Sequence, residues 1–179
     1  MKRIHMCCGK RDFGSGWLNI DGADLPHIHQ HDVTKLDMQS DTVDIIYCSH
    51  GLEYFDRTEA INVLTEWYRV LKPKGILRLA VPDFSAICEL YSSGKYSLES
   101  FLGPLYGKID LNGTFVYHKT AYDFDSLFTL LTASGFSDIQ CYDWRKTEHA
   151  IYDDHSQAYL PHMEKRTGTL ISLNVECNK

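Results

Sequence analysis

Between Cys7 and Asp21 the chain reads CCGKRDFGSGWLNID. Arg3–Cys7 is a short run of strand formers that ends in a turn at Gly9. A second run, Trp17–Ile20, ends on the carboxylate of Asp21. The 9–17 connection is too short for a full helix, so the two strands must lie close together. In an open α/β sheet this unit holds a nucleoside. The glycine loop lets a ligand approach the backbone, and an acid at the tip of the next strand accepts hydrogen bonds from ribose hydroxyls.

The rest of the chain alternates strand and helix signals. Ile28–His31 reads as a third strand. Val43–Ser49 (VDIIYCS) is almost continuously apolar, as in a parallel strand buried on both faces. Asp56 followed by Glu59 predicts a capping box. Ala60, Val63, Leu64, Trp67, Val70 and Leu71 then recur at helical spacing until Lys72-Pro73-Lys74-Gly75 stops the helix. Ile76–Val81 predicts a further strand, Phe84–Ser93 a helix, and Asp123 caps a helix through Leu131, closed by Ser134-Gly135. Ile139–Trp144 and Leu170–Glu176 read as two last strands without a helix between them, which places an antiparallel strand at the C-terminal edge of a mostly parallel sheet.

Two stretches fall outside this alternation. Residues 94–120 carry Gly94, Gly103, Pro104, Gly107 and Gly113 and predict a lid-like insertion, because a loop of that length in a compact domain is usually functional. Residues 145–168 form an irregular excursion. From Trp144 to His162 it is dense in rings and polar groups, which implies contact with a substrate or a second subunit.

At 179 residues the chain reads as a single domain, 1–179. Its net charge of −6 argues against a general affinity for nucleic acid or anionic membrane. No run approaches the ~18 apolar residues of a membrane span, and MKRIHMCC lacks the apolar core of a signal peptide. The six cysteines show neither CxxC nor small-scaffold spacing; reduced thiols in a cytoplasmic protein are the simplest account. His27, His29 and His31 would share one face of a strand, but no cysteine or carboxylate signature accompanies them, so no metal site is expected.

Together Cys7–Asp21, HDVTKLD at 31–37 and DIIYCSHGLEYF at 44–55 resemble the cofactor-binding half of a class I S-adenosylmethionine-dependent methyltransferase of the small type-11 kind, trimmed ahead of the first strand. The resemblance covers residues 3–93 well and 123–176 weakly. It implies an α/β fold, a doubly wound Rossmann-like sheet, with S-adenosylmethionine as cofactor. Because the helix usual before the first strand is absent, one sheet face is expected to be thinly covered, with a second copy of the chain as one source of cover.

The resemblance also distributes roles. Cys7 and Gly9 stand where the family has Gly-x-Gly, with Cys8 between them. Asp21, beside Gly22, would bind the ribose. Asp32 would accept from the adenine amino group with Val33 against the ring, although Asp32 also fits a cap before Thr34. Ser49-His50-Gly51-Leu52-Glu53-Tyr54 resembles the family's SHxLEH stretch. Ser49, His50 and Leu52 would line the cofactor pocket, and His50 would also orient substrate or act as a general base, since imidazole titrates near neutrality. Glu53 reads as structural. Tyr117 and His118, on the insertion, would shape the substrate site and exclude water.

The expected function is methyl transfer to a small-molecule acceptor. No Asn-Pro-Pro-Tyr-type motif follows the fourth strand, and no catalytic cysteine motif of a cytosine-carbon methylase is present. Two alternatives stay open: a methyltransferase-fold binding or assembly module without catalysis, favoured by Cys7 at a glycine position, and a nicotinamide-dependent oxidoreductase, disfavoured by the lack of GxGxxG.

Overall fold

A computed structural model describes residues 1–179. Its centre is a six-stranded sheet in the order β2-β1-β3-β4-β10-β7. These strands are β1 (Arg3–Met6), β2 (Leu18–Ile20), β3 (Val43–Ser49), β4 (Leu71–Pro82), β7 (Ser137–Cys141) and β10 (Ser172–Asn178). β2, β1, β3 and β4 are mutually parallel. The C-terminal β10 runs antiparallel to both β4 and β7. The predicted class, a mostly parallel sheet with an antiparallel C-terminal strand, is the one observed; that strand, β10, lies between β4 and β7, with β7 as the outermost strand.

The expected third strand differs. Only Ile20 and Gln30 form a parallel bridge, and the segment is otherwise irregular. Each imidazole there bonds a different stretch of backbone: His29 Nδ1 accepts from Asn19 N at 3.1 Å, His27 Nε2 lies 2.9 Å from the Gly9 carbonyl, and His31 Nδ1 lies 3.0 Å from that of Ala23. These side-chain bonds replace the ladder that a regular strand would have made.

One face of the sheet packs against helices α1 (Arg57–Val70) and α4 (Phe124–Ala133). Both start as the sequence predicts, each with a capping box, at Asp56/Glu59 and at Asp123/Ser126. Ala60, Val63, Leu64, Trp67 and Val70 of α1 meet Leu127, Leu130 and Leu131 of α4 over Ile4, Met6, Ile46, Cys48, Leu77, Leu79 and Val175. Trp67, fully buried, also donates its indole N–H to the Val33 carbonyl at 2.9 Å.

The opposite face is the one expected to be thin. No helix lies over β1 and β3 there. The 9–17 connection holds only a short 3-10 turn, Gly14–Gly16. Instead, rings from two loops stack on rings from the strands. His5 of β1 stacks on Phe13 with centroids 3.8 Å apart, Phe13 on Tyr152 at 4.1 Å, and Tyr47 of β3 on His149 at 3.8 Å, with Trp17 set edge-on to Phe13. Tyr47 donates its hydroxyl to Asp154 at 2.6 Å. His149 and Tyr152 of the 145–168 excursion thus cover this part of the sheet face from within the chain, while His155, Tyr159 and His162 of the same excursion line a large cleft. Aromatic rings bury a large area per residue, so a few of them can replace a helix.

Residues 94–120 are not a structureless loop. They hold α3 (Glu99–Tyr106), with Phe101 buried, and a hairpin of β5 (Ile109–Leu111) and β6 (Thr114–Val116). Its two-residue turn, Asn112-Gly113, places both residues at positive φ (53° and 86°), the geometry that Asn-Gly favours. Helix α2 (Phe84–Ser92) joins α3 in a separate small cluster of Ile87, Phe101, Leu160 and Ile171, where Leu160 belongs to β8 (Tyr159–Leu160), paired with β9 (Thr169–Leu170). No helix is long and apolar enough to cross a membrane.

Candidate active site

Parallel strands β1, β2 and β3 end on one side of the sheet, and the loops after them surround a cleft of about 1670 Å³. The sequence places its candidates at those strand ends, and the fold brings most of them together. Cys7, Cys8, Gly9, Asp21, Gly22, Asp32, Val33, Ser49 and His50 line the cleft, as do Tyr117 and His118 from the 94–120 segment. Leu52 is the exception. Its side chain is fully buried in the central core and does not line the cleft, because the 3-10 turn Leu52–Tyr54 points it inward.

Asp21 closes the loop onto the strand tip. One carboxylate oxygen accepts the Gly9 N–H at 2.8 Å and the other the Ala23 N–H at 2.8 Å. A carboxylate offers about four lone-pair positions, so two stay free for hydroxyl donors. Gly9 lies at φ +53° with open space where a Cβ would stand, leaving its backbone approachable. Asp32 is more heavily engaged: one oxygen takes the Thr34 N–H (2.8 Å), the Thr34 hydroxyl (2.6 Å) and the Lys35 N–H (3.2 Å). These donors, the Thr34 hydroxyl first, hold its carboxyl below the usual range. The turn-cap role of Asp32 is therefore present, with its second oxygen free of protein partners. Val33 is half-buried against the core beside it.

Cys7 occupies a left-handed conformation (φ 50°), normally the province of glycine. Its side chain leans into the notch left by Gly51. A Cβ on Gly51 would collide with Cys7 Cβ and come within 2.7 Å of Cys7 Sγ and 2.8 Å of Cys48 Sγ. The glycine missing from position 7 is thus compensated by one at position 51. Gly51→Ala is expected to cost about 1–3 kcal/mol by overpacking, and adding Cys7→Gly to recover part of that loss. Urea unfolding of the two single variants and the double variant measures the coupling. Burial pushes the Cys8 thiol up to about 12, with the Asp21 charge second, and raises Cys48 too, through its Cys7 contact and then burial, so both are protonated thiols at neutral pH.

His50 also sits at positive φ (51°), which turns its ring back toward the sheet. Nε2 lies 3.1 Å from Ser172 Oγ and Nδ1 3.6 Å from Glu53 Oε1. Burial, and then the His155 and His118 rings, hold its pKa well below the ordinary imidazole value. His118 reaches the same carboxyl from above, with Nε2 3.6 Å from Glu53 Oε1 and Nδ1 3.0 Å from the Pro104 carbonyl. Gly107 makes room for it, since any Cβ there would overlap the His118 ring. Tyr54 packs edge-on to His118 at 4.6 Å and donates its hydroxyl to the Gly107 carbonyl.

Two further side chains join this group, Glu53 and, from the ring-rich excursion, His155. Glu53 was read as structural, yet its fully buried carboxyl has no hydrogen-bond partner on either oxygen. His155, 5.2 Å from the His50 ring, comes from the excursion and also lines the cleft. Glu53 reaches His50 locally, three residues along the same turn, whereas only tertiary packing brings His155 there. The Asn112-Gly113 pair was the one overlooked signal with a local meaning. It fixes the hairpin whose Asn112 bonds the Gly22 carbonyl (3.0 Å) and the Asp24 N–H (2.9 Å) across the mouth of the cleft.

Residues 12–79 match a family model described as a methyltransferase domain. The match runs from the loop after β1 into β4 and includes Asp21, Asp32 and the Ser49–Tyr54 turn. Among the solved structures whose likeness covers 99% of the chain are S-adenosylmethionine-dependent methyltransferases from Archaeoglobus fulgidus (TM-score 0.60, 14% identity, 86% of that chain) and Methanosarcina mazei (0.58, 18%, 92%), and a Burkholderia thailandensis 1,6-didemethyltoxoflavin-N1-methyltransferase (0.57, 13%, 70%). The chain has the fold of a class I S-adenosylmethionine-dependent methyltransferase. No curated protein matches it significantly in sequence. The methyltransferase fold here keeps the cleft at the carboxyl ends of the parallel strands and replaces the helices of one sheet face by stacked rings.

Proposed function

We propose that this protein binds S-adenosylmethionine in the β1–β3 cleft and transfers its methyl group to a small molecule. The observation that carries this reading is the pairing of an open Gly9 loop with an Asp21 carboxylate that has lone pairs to spare at the adjoining strand tip. Asp21 and Gly22 would hold the ribose, Asp32 and Val33 the adenine, and the Cys7–Gly9 loop and Ser49 the amino-acid end. Bound there, the cofactor supplies a methyl group on a cationic sulfur, so the protein's task is chiefly to align the acceptor and take up its proton.

The cleft extends from the Asp21 and Asp32 loops to the 94–120 segment, whose Tyr117 and His118 also line it. That segment serves as a lid over the acceptor, anchored through Asn112 at one end and His118 at the other. The Burkholderia relative was solved with a small heterocycle and S-adenosylhomocysteine, which supports a small-molecule acceptor here.

Calorimetric titration with S-adenosylmethionine and S-adenosylhomocysteine tests the reading. Micromolar binding of both is expected. Absence of binding would leave the methyltransferase-fold binding module as the account, with Asp21 committed to bracing Gly9 and Ala23.

A further inference from the structure

The hydrogen-bond network around Glu53 fixes where its protons lie. Asn174 Nδ2 faces the Ser156 carbonyl at 2.9 Å, and a carbonyl only accepts, so Asn174 Oδ1 is the atom turned to Ser172 Oγ at 3.0 Å. That oxygen also only accepts, so Ser172 spends its one proton on it. Ser172 must then accept from His50 Nε2, which carries the hydrogen. In His118 the Pro104 carbonyl likewise demands a hydrogen on Nδ1. As neutral rings, both histidines therefore point a bare nitrogen at Glu53 Oε1, His50 Nδ1 and His118 Nε2, each 3.6 Å away.

No other donor reaches the carboxyl, since both of its oxygens lack partners. Burial raises the Glu53 carboxyl to about 8 and lowers both imidazoles. Tyr54 and Tyr122, kept protonated mainly by burial, and Cys48, kept protonated first by its Cys7 contact and then by burial, place no charge beside Glu53. The Lys119 amine is drawn away to Glu59. An ionised carboxylate would face two lone pairs with nothing to neutralise it. A protonated one can turn its hydroxyl toward one nitrogen and leaves the other bare.

We propose that Glu53 is a neutral carboxylic acid at pH 7, facing two imidazoles that both present lone pairs to it. The cluster is then one proton short of satisfying its own acceptors. It is a built-in sink for the proton that the methyl acceptor must lose. This inference rests on the proposed methyl transfer for its purpose but not for its geometry. In the step it serves, the acceptor's X–H bond breaks, an N–H bond forms on the bare imidazole nitrogen, and the electron pair left on the acceptor takes the methyl group. The new imidazolium N–H faces Glu53 Oε1, an oxygen with a lone pair to accept it once the 3.6 Å gap closes, so proton uptake strengthens the cluster. Glu53 acts through the histidines and is a positioning residue.

Side-chain NMR of the intact protein tests this without any acceptor. The Glu53 carboxyl carbon is expected to report a protonated acid at pH 7 and to titrate near pH 8. His50 is expected as its Nε2–H tautomer and His118 as its Nδ1–H tautomer, both neutral. Glu53→Gln retains N–H donors for both nitrogens, so it should preserve the two tautomers and abolish the transition near pH 8. A carboxylate at pH 7 paired with an imidazolium on His50 or His118 overturns the proposal, as does an unchanged transition in Glu53→Gln. The wild-type measurement stands by itself should the variant fail to fold. Cofactor binding by calorimetry is read separately, so failure of the methyltransferase reading and failure of this one remain distinct.

Discussion

Asp21→Ala abolishes measurable binding of S-adenosylhomocysteine, on the reading developed above. Two charge-assisted bonds to ribose hydroxyls contribute about 3 kcal/mol together, which is about a hundredfold in affinity. The sequence alone suggests that a strand-tip carboxylate matters little to folding. The structure modifies that expectation, because the same carboxylate holds the Gly9 and Ala23 N–H groups. A stability loss of about 1 kcal/mol should accompany the loss of binding. Asp21→Asn keeps one acceptor oxygen and should recover most of the stability but only part of the affinity. Calorimetry and urea unfolding on the two variants separate the effects. Wild-type affinity in Asp21→Ala would remove Asp21 from the ribose site.

The second large effect is a loss of stability in mild acid. His5 and His149 lie in the aromatic layer, 1% exposed each, and burial holds their pKa values down to about 3 and about 4. Both are neutral in the folded protein throughout the physiological range. In the unfolded chain they bind protons below about pH 6.5. Their stabilising contribution is therefore complete above that pH and falls as the pH drops toward the folded values. By linkage, each should withdraw about 2 kcal/mol between pH 7 and pH 5. His50, His118 and His155, also lowered by burial, act in the same direction. Urea unfolding at pH 7 and pH 5 measures the total, and His149→Phe, which keeps a ring in the stack, should shrink it. Equal stability at the two pH values would mean that these rings already carry protons in the fold.

The aromatic layer also bears on assembly. A second subunit is a reasonable expectation for a methyltransferase-like sheet that lacks helices on one face. Here Phe13, Trp17, His149 and Tyr152 already occupy the part of that face over β1 and β3.

The sequence by itself determined the parts of this protein that depend on local chemistry. The capping residues Asp56 and Asp123, the apolar stripe of α1, the near-continuous apolar run of β3 and the glycine turn after β1 each have a short-range physical cause. Together they were enough to give the sheet class and the side of the sheet on which the cleft lies. The failures were of two kinds. Ile28–His31 has strand propensity, but its imidazoles found backbone partners of their own, and pairing beyond one bridge did not form. Leu52 sits in a motif that borders the cleft, yet which way a side chain points within a 3-10 turn depends on the turn's position over the core.

Only the tertiary structure decided what depends on residues far apart in the chain. Gly51 is necessary because Cys7 fills the space beside it. His149 and Tyr152 are cover for the sheet because β1 and β3 present His5 and Tyr47 to them. Glu53 becomes a buried acid between two imidazoles because His118 arrives from the 94–120 segment and Ser172 from the last strand. A charge or a proton is placed by all the groups that surround it, and that enclosure exists only after the chain has closed.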